Sequence, residues 1–474
     1  MTLRVLIAVL MLGLVAGCCH KQSTPPPVPT AATSSVRTEW LSHAWRFEKD
    51  GWTFLHVEGE PRARGFQHGS LLAREIADAL HTQRVVWEYE SGMTWEWLIA
   101  QTTPFLLPRM DAENLAEIDG LVEGLASANV TTSREEMVAF NAYIEIAGYW
   151  WPAKKKTLGS ESPIRSKESC SSFIATGSMT ADGEIVLGHN TMTGYDDGFV
   201  NVIIDIVPST GHRILMQTCP GWIHSGSDFS ITDAGLVGSE TTIGGFNGFD
   251  EQGIPEFCRM RRATQDADSI GQWCEIMKHG NNGGYANAWL LGDTKTGEIA
   301  RLELGLKHVA LERTHDGYYT GSNVAENIKI LRLETDVQET DIRRSGVARR
   351  VRWEQLMEEY RGRITVDLAR QFEADHYDPY LHRIIQNGRV LCDHSDRDSL
   401  VDPPFDPGGT IDGKVVDSKM AKAMTFSARW GSACGTPFDA RAFLHDHPQF
   451  KWMAGILKSR TAHGWANFTA GQRQ

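Results

Sequence analysis

The sequence lacks the cysteine spacing of the common metal-binding and redox motifs. Its eight cysteines, at positions 18, 19, 170, 219, 258, 274, 392 and 434, include no Cys-x-x-Cys pair, which excludes a zinc ribbon and a thioredoxin-like site. In an oxidising compartment Cys392 and Cys434 are a candidate disulfide, and buried free thiols are an equally good interpretation. Residues 392–398 and 445–447 combine histidine with cysteine or aspartate, but neither segment has helical or zinc-ligand spacing. We therefore predict solvated loops there, no metal and no cofactor.

Positive charge is also scarce. The 47 Lys and Arg residues are outnumbered by 60 Asp and Glu, which gives a formal net charge of −13. No block of lysine and arginine is large enough to reverse this balance locally. The composition therefore argues against a nucleic acid or an anionic membrane surface as the main partner.

The apolar run at residues 5–16 is too short to span a membrane and suits the core of an export signal. It leads into Leu14-Val15-Ala16-Gly17-Cys18, which resembles a bacterial lipobox. We predict that residues 1–18 are a lipoprotein signal peptide with lipid on Cys18; a plain cleaved signal is the alternative. Residues 19–36, rich in Pro, Ser and Thr, are predicted to be a linker. The expected location is a membrane facing the periplasm or the cell exterior.

Residues 37–169 have a mainly helical pattern that ends in a polar loop. Leu115, Ile118 and Leu125 repeat at helical spacing, and Ser133 with Glu136 forms a capping-box pattern. Residues 152–169 are polar, without apolar periodicity, and predict an exposed, cleavable loop.

Strand patterns begin directly after that loop. Residues 170–176 and 184–188 flank the turn pair Asp182-Gly183 and predict a hairpin. Further strands are expected at 200–207, 213–218, 236–242, 285–292 and 299–304, and helices at 266–279, 343–361 and 366–375. Runs of strands flanked by runs of helices indicate an α+β fold with an antiparallel sheet covered by helices.

Cys170 stands where the polar loop meets the first predicted strand. If the Ser169–Cys170 bond were broken, Cys170 would carry both a thiol and a free α-amine. The amine has a reference pKa of roughly 7.7–8.0, near the thiol value of about 8.5, so it can act as general base to its own side chain. An isolated cysteine at a strand start is otherwise an ordinary core residue.

The motifs around this cysteine resemble a known family. In chain order they are residues 57–69, Ser169-Cys170-Ser171-Ser172-Phe173-Ile174, Gly188-His189-Asn190-Thr191, residues 232–243 and residues 282–293. In this order they are similar to the phospholipase B-like proteins. They also resemble the bacterial autoproteolytic acyltransferases and hydrolases related to penicillin acyltransferase and the choloylglycine hydrolases. The resemblance covers roughly residues 50–470. It implies an Ntn-hydrolase fold, a four-layer αββα sandwich, with self-cleavage before Cys170.

The resemblance also assigns roles to individual residues. Catalytic residues are expected at Cys170, His189, Asn190 and Asn287. Glu240 and Thr241 correspond to polar pocket residues in substrate or oxyanion binding, and Trp222 is a candidate for lining an acyl pocket. Relatives that hold the nucleophile's amine with an aspartate have it where this chain has Met192. Either Asp196 or Asp197 of the following loop substitutes for it, or the amine is held in a different way.

The predicted function is hydrolysis of a linear amide (N-acyl) bond through an acyl-enzyme, after self-cleavage into an N-terminal segment and a catalytic chain of residues 170–474 that stay associated. One alternative is a phospholipase B-like acyl-ester hydrolase. The other is a non-catalytic, lipid-anchored binding protein on the same scaffold. The expected partners are a small acylated substrate and, through the anchor, a membrane; the sequence leaves homo-oligomer formation open.

Overall fold

The computed structural model of the protein describes residues 27–158 and 169–474. The predicted lipobox with Cys18, and residues 19–26 of the predicted linker, lie outside the described residues. At the linker's C-terminal end, the first helix begins at Ser34. Within residues 27–158 and 169–474, no helix is both long and apolar enough to cross a membrane.

The described residues form eighteen strands and fifteen α-helices. The strands are β1 (Trp45–Lys49), β2 (Trp52–Gly59), β3 (Ser169–Thr176), β4 (Val186–Gly194), β5 (Val202–Pro208), β6 (Ile214–Thr218), β7 (Ser230–Thr232), β8 (Leu236–Thr242), β9 (Asn287–Asp293), β10 (Glu298–Leu304), β11 (Val309–Thr314), β12 (Gly317–Gly321), β13 (Tyr377–Asp378), β14 (Arg383–Ile384), β15 (Gly408–Thr410), β16 (Asp412–Asp417), β17 (Thr425–Trp430) and β18 (Ala466–Thr469). The helices are α1 (Ser34–Ser42), α2 (Pro61–Leu71), α3 (Ala73–Ser91), α4 (Trp95–Leu106), α5 (Ala112–Ser127), α6 (Arg134–Asn141), α7 (Tyr143–Glu145), α8 (Trp151–Thr157), α9 (Glu256–Asp266), α10 (Ile270–Lys278), α11 (Ile328–Leu333), α12 (Ser345–Glu359), α13 (Val366–Glu373), α14 (Ser418–Lys422) and α15 (Ala440–Asp446).

Most strands belong to two large sheets. The first sheet has nine strands in the order β1-β2-β5-β6-β7-β8-β9-β10-β11, and the second has seven, in the order β12-β3-β4-β16-β17-β18 with β15 paired to β4. Pairing is antiparallel throughout these two sheets except between β2 and β5, which run parallel. That parallel pair joins the segment before the predicted cleavage site to the segment after it.

The two sheets pack face to face, and helices cover both outer faces. Inward-facing residues such as Ile203 and Leu290 of the first sheet share one apolar cluster with Leu187 and Phe426 of the second. Helices α2–α6 cover one part of the first sheet's outer face and α9 and α10 cover another. Helices α12 and α13 cover the second sheet. The predicted α+β class and four-layer αββα sandwich are thus confirmed.

Close contact between α2 and α5 depends on four glycines. A Cβ at Gly65 would lie 1.9 Å from the Glu117 carbonyl oxygen, and one at Gly120 would lie 2.1 Å from the Arg62 carbonyl oxygen. Gly69 and Gly124 repeat the pattern one turn later. Because glycine has no Cβ, the two backbones approach more closely than ordinary side chains allow.

Several local predictions differ from the structure. The segment predicted as helical after residue 37 also contains β1 and β2. Residues 152–169 were expected to be a loop, but α8 extends to Thr157, since Pro152 is tolerated in a first helical turn and the lysines at 154–156 suit the last one. The helix expected at 266–279 is the shorter α10. Helix α9 before it was not predicted, because its Arg259 and Arg261 are buried, and arginine is normally an exposed residue.

Candidate active site

Cys170 lies near the start of β3, in the interior of the molecule. The residue is 2% exposed, and it pairs with Thr191 of the neighbouring strand β4. Strand pairing therefore fixes its backbone, while the thiol faces the first sheet. A reactive group placed this way has few alternative rotamers and a defined set of neighbours.

The thiol contacts a carboxyl group that has several hydrogen-bond donors around it. Cys170 Sγ donates to Glu240 Oε1 at 3.2 Å, and the Tyr285 hydroxyl donates to the same oxygen at 2.8 Å. When the Asn287 amide is assigned with its nitrogen towards Glu240, which satisfies both of its polar atoms, that nitrogen donates to Oε2 at 3.0 Å. The structure thus brings together three residues predicted from sequence, Cys170, Glu240 and Asn287, and adds Tyr285.

The backbone of Cys170 is held by side chains from later in the chain. Its N–H donates to Asn323 Oδ1 at 3.2 Å, and Arg349 donates to its carbonyl oxygen at 2.6 Å. Arg349 also donates to Asn323 Oδ1 at 2.6 Å, while Asn323 Nδ2 donates to the Thr242 carbonyl oxygen at 2.8 Å. One residue therefore has both its nitrogen and its sulfur fixed by buried polar groups.

Sequence analysis did not identify Asn323, Arg349 or Tyr285 as site residues. Tyr285 lies within one of the family-like motifs, so its position next to Asn287 was an available signal. Asn323 and Arg349 are 153 and 179 residues from Cys170 along the chain, and no local pattern marks them.

Burial dominates the ionisation of the site. Burial, and next the Glu240 carboxyl, raises the pKa of the Cys170 thiol well above its usual value. Burial and the negative charge of Asp228 raise the pKa of Glu240 to about 8. Burial lowers the pKa of Arg349 to about 10, which leaves it protonated at neutral pH. In the intact chain the thiol is therefore neutral at pH 7 and needs a base before it can attack.

His189 lies on the same face of the second sheet as Cys170, and Asn190 lies on the opposite face. His189 pairs with Ser172 across β3 and β4, two residues along from the Cys170 pair, and its Nε2 donates to the Glu240 carbonyl oxygen at 3.0 Å. Burial lowers the pKa of His189 well below its usual value, so the ring is neutral. Successive strand residues alternate faces, and Asn190 accordingly donates to the carbonyl oxygens of Glu373 and Leu391, at 2.7 and 2.9 Å. The Asn190 side chain is not brought to the site.

Of the other predicted residues, Trp222 is brought to the site and Thr241 is not. Trp222 lines the same pocket as Cys170. Thr241 follows Glu240 in β8, so its side chain points to the other face, where it lies against Gly321. Ser169 is the first residue of β3. Asp197 lines the pocket beside Met192, whereas the Cys170 nitrogen is held by the amide of Asn323 rather than by an aspartate.

A pocket of about 600 Å³, including the space open to solvent at its mouth, leads to Cys170. Its walls are largely apolar, formed by Tyr143, Ile144, Met192, Phe199, Val200 and Trp222. The first two of these precede the predicted cleavage site and the others follow it. Both parts of the chain therefore shape the same pocket.

A buried lysine supports the polar wall of this pocket. Lys414 Nζ donates to Asp412 Oδ1 and Gln217 Oε1, each at 2.6 Å, and to Thr191 Oγ1 at 2.8 Å. Gln217 and Thr191 line the pocket. The network fixes two polar side chains close to the thiol, where they can orient the polar part of a ligand.

Two groups of side chains in the described residues have metal-ligand atoms within 4.8 Å of one another. One is Cys170, His189 and Glu240, whose proximity is explained by the hydrogen bonds described above. The other is His376, Cys392, His394 and Cys434, none of which lines the pocket. Cys392 and His394 are buried, so the prediction of a solvated loop there is wrong; their backbone N–H groups donate to the carbonyl oxygens of Asp375 and Asn387, which hold the segment inside the fold.

Comparison with known proteins connects this geometry with a family. Residues 110–320, which contain Cys170, His189, Glu240 and Asn287, match the family model of Phospholipase B. Over these residues the chain is similar to the phospholipase B-like proteins. The resemblance stated from the motifs is thereby confirmed.

Individual phospholipase B-like proteins match over parts of the chain. Phospholipase B-like 1 of Homo sapiens is 27% identical over 245 residues, which are 46% of this chain and 42% of that protein. Putative phospholipase B-like 2 of Mus musculus is 28% identical over 166 residues, 30% of this chain and 26% of that protein. Phospholipase-B 81 of Drysdalia coronoides is 36% identical over 104 residues, 21% and 19% of the two chains. The chain spans less than half the length of each of these relatives.

Among solved structures, a mutant conjugated bile acid hydrolase from Clostridium perfringens is similar with a TM-score of 0.33 and 8% identity, covering 55% of this chain and 89% of that chain. A second variant of the same hydrolase has a TM-score of 0.25 and 9% identity, covering 56% and 82%.

Proposed function

We propose that the protein is a hydrolase that cleaves itself before Cys170 and then uses Cys170 as an N-terminal nucleophile on the acyl group of a linear amide. The observation that carries this proposal is that the sulfur and the nitrogen of Cys170 are both held by buried polar side chains at the end of an apolar pocket. An ordinary core cysteine needs neither contact.

Self-cleavage follows from the chemistry of adjacent groups. Cys170 Sγ attacks the carbonyl carbon of Ser169 and loses its proton, the carbon–nitrogen bond breaks, and the Cys170 nitrogen takes a proton and becomes an amine. Water then hydrolyses the resulting thioester, which leaves a carboxylate on Ser169 and a free thiol on Cys170. The proton that the thiol loses is the one that the Cys170 nitrogen gains, so the cleavage step needs no net proton donor or acceptor.

After cleavage the amine of Cys170 takes the position of the former amide nitrogen. Asn323 Oδ1 can accept a hydrogen bond from it, and the adjacent Arg349 charge disfavours its protonated form. Both effects suit an amine that must be neutral, and correctly oriented, to act as a base near pH 7.

Turnover uses the same groups. The amine removes the thiol proton, the thiolate attacks the acyl carbonyl carbon, and the leaving amine receives the proton while a thioester forms on Cys170. Water then releases the acyl group as a carboxylate and restores the thiol. The Asn287 and Tyr285 side chains, which already surround Glu240, are candidates for stabilising the developing negative charge.

The pocket supports an acyl chain as the recognised part of the substrate. Its apolar walls bury hydrocarbon favourably, and Gln217 and Thr191 offer polar contacts to the bond that is cleaved. Hydrolysis of a phospholipid acyl ester is the second candidate, which the names of the matching relatives favour. A binding protein without catalysis is the third.

Matched substrates separate these three functions. We expect the purified protein to release fatty acid from an N-acyl amino acid faster than from a phospholipid with the same acyl chain, and Cys170→Ala to release none from either. Turnover of phospholipid alone would contradict the amide preference. Cys170-dependent binding of both compounds without release of product would favour the binding protein.

We also propose export and lipid attachment at Cys18, on the lipobox-like sequence alone. In cells supplied with radiolabelled palmitate, the wild type and the matched control Cys19→Ser are expected to carry label and Cys18→Ser to carry none. Equal labelling of all three would contradict the proposed anchor.

A further inference from the structure

The second group of candidate metal ligands is built from three separate segments of the chain. His376 lies between α13 and β13, Cys392 and His394 lie in the segment between β14 and β15, and Cys434 follows β17. The side chains of Cys392 and His394 are fully enclosed. Two thiols and two imidazoles from separate parts of the sequence thus lie close together in the described structure. We call these four residues the Cys2His2 cluster.

The distances within the Cys2His2 cluster match those between the ligands of a tetrahedral zinc ion. Zinc–sulfur bonds of about 2.3 Å and zinc–nitrogen bonds of about 2.0–2.1 Å hold sulfur and nitrogen ligands roughly 3.6 Å apart at tetrahedral angles. Cys434 Sγ lies 3.4 Å from His394 Nε2, and Cys392 Sγ lies 3.8 Å from the same nitrogen. All four ligand atoms lie within 4.8 Å of one another.

The surroundings also fit a metal site. His394 Nδ1 lies 3.8 Å from Asp396 Oδ1, and a carboxylate near the second ring nitrogen is the usual outer partner of a metal-binding histidine. The hydroxyls of Thr436 and Ser432 lie 3.1 and 3.4 Å from Cys434 Sγ, where they can donate to a thiolate. Nε2 of His376 is buried and has no hydrogen-bond partner among the described residues.

We infer that the Cys2His2 cluster binds one zinc ion as a structural site. Two thiolates and two neutral imidazoles form a complete four-coordinate set, with no open position for substrate or water. A disulfide between Cys392 and Cys434, the pairing considered from sequence, would use the sulfurs alone and leave the two converging imidazoles unexplained. The ion would join the segment after α13 to the segments before β15 and after β17.

This position links the ion to the scaffold of the active site. The Leu391 carbonyl oxygen, next to Cys392, accepts a hydrogen bond from Asn190, and the Asp393 carbonyl oxygen accepts one from Thr410 in β15. Both contacts lead to β4, the strand that pairs with β3. Zinc would therefore act on stability and on the alignment of β4, and not on the chemical step.

Metal analysis of the full chain tests the inference. Protein purified without chelator, or reduced, stripped and reloaded with zinc alone, is expected to contain one zinc ion per chain. The double variant Cys392→Ser/Cys434→Ser should lose it, whereas Cys274→Ser, which removes another buried thiol, and Cys170→Ala, which removes the active-site thiol, should retain it. Retention in Cys170→Ala also separates this site from the proposed catalytic function.

A second measurement does not depend on a variant that folds. Wild-type protein loaded with cobalt(II) in place of zinc should show tetrahedral ligand-field bands and thiolate charge-transfer absorption. A zinc content that stays below a tenth of an equivalent after reloading would overturn the inference. So would a Cys392–Cys434 disulfide in protein that binds no zinc, or zinc content unchanged by the double substitution.

Discussion

At the scale of single residues, the site depends on two acidic groups that share one enclosed space. The Cys170 thiol and the Glu240 carboxyl lie 3.2 Å apart, so ionisation of either group disfavours ionisation of the other. With its pKa raised to about 8 by burial and Asp228, Glu240 is neutral at pH 7. A neutral carboxyl does not repel the negative charge of a thiolate.

This arrangement predicts that ionisation of Glu240 lowers kcat/KM at alkaline pH. As the pH rises through about 8, the carboxyl becomes negative and opposes the thiolate, so kcat/KM of the wild type should fall, roughly tenfold per pH unit. Glu240→Gln mimics the neutral carboxyl and should keep its activity between pH 8 and pH 9.5. The measurement is the pH profile of kcat/KM for both proteins.

Asp228→Asn provides the control for that profile. Removing the Asp228 charge lowers the pKa of Glu240, so the fall in kcat/KM should begin at a lower pH than in the wild type. If the wild type and Glu240→Gln lose activity along the same alkaline curve, Glu240 is not the group that titrates.

The family resemblance predicted part of the site. Cys170, Glu240 and Asn287 are brought together as expected, because each lies in a short motif that matches the family, and Trp222 lines the same pocket. Asn190 and Thr241 were assigned without regard to strand direction: Asn190 faces away from the thiol, and Thr241 lies on the opposite face of β8 from Glu240, against Gly321. Successive strand residues face opposite sides of a sheet, so His189 and Asn190 cannot both face the site, and neither can Glu240 and Thr241.

At the scale of secondary-structure elements, local signals predicted those elements whose boundaries depend on local chemistry. The hairpin of β3 and β4 follows from the apolar run at Cys170 and the turn at Gly183, whose φ of 80° suits glycine. Ser133 caps α6 by accepting from the Glu136 N–H at 3.1 Å, as the capping box predicted. By contrast, β1 and β2 form because a distant strand, β5, supplies a partner, and local patterns contain no such information.

The contact between α2 and α5 yields a stability prediction. Gly65→Ala places a methyl group within 1.9 Å of a carbonyl oxygen, so the helices must separate. We expect a loss of about 1–3 kcal/mol in the free energy of unfolding, measured by urea denaturation.

Gly148→Ala is the matched control, since nothing lies within 4 Å of its added methyl group. Alanine is a better helix former than glycine, so this variant should be unchanged or more stable by up to about 1 kcal/mol. Equal stability of the two variants would show that the α2–α5 contact is not tight.

At the scale of the whole molecule, the segments before and after Cys170 form one body. Strand β2 pairs along its length with β5, and Tyr143 and Ile144 complete the pocket that leads to Cys170. The four-layer arrangement could be predicted only through the family resemblance, because the strand order of the first sheet joins β2 to β5 across more than 140 residues. No periodicity in the sequence encodes that order.

Because the segments before and after Cys170 share one sheet and one pocket, we predict that the cleaved fragments stay together. After cleavage, gel filtration without denaturant should give one peak that contains both fragments, and activity should disappear when urea separates them. Fragments that separate in buffer alone, with full activity in the larger one, would contradict this prediction.

The most direct test of the central claim is the identity of the new chain terminus. Intact mass and N-terminal sequencing of the purified protein should identify a large fragment that begins at Cys170, and Cys170→Ala should remain a single chain without activity. Active protein with an unbroken backbone between Ser169 and Cys170, or full activity in Cys170→Ala, would contradict the proposal.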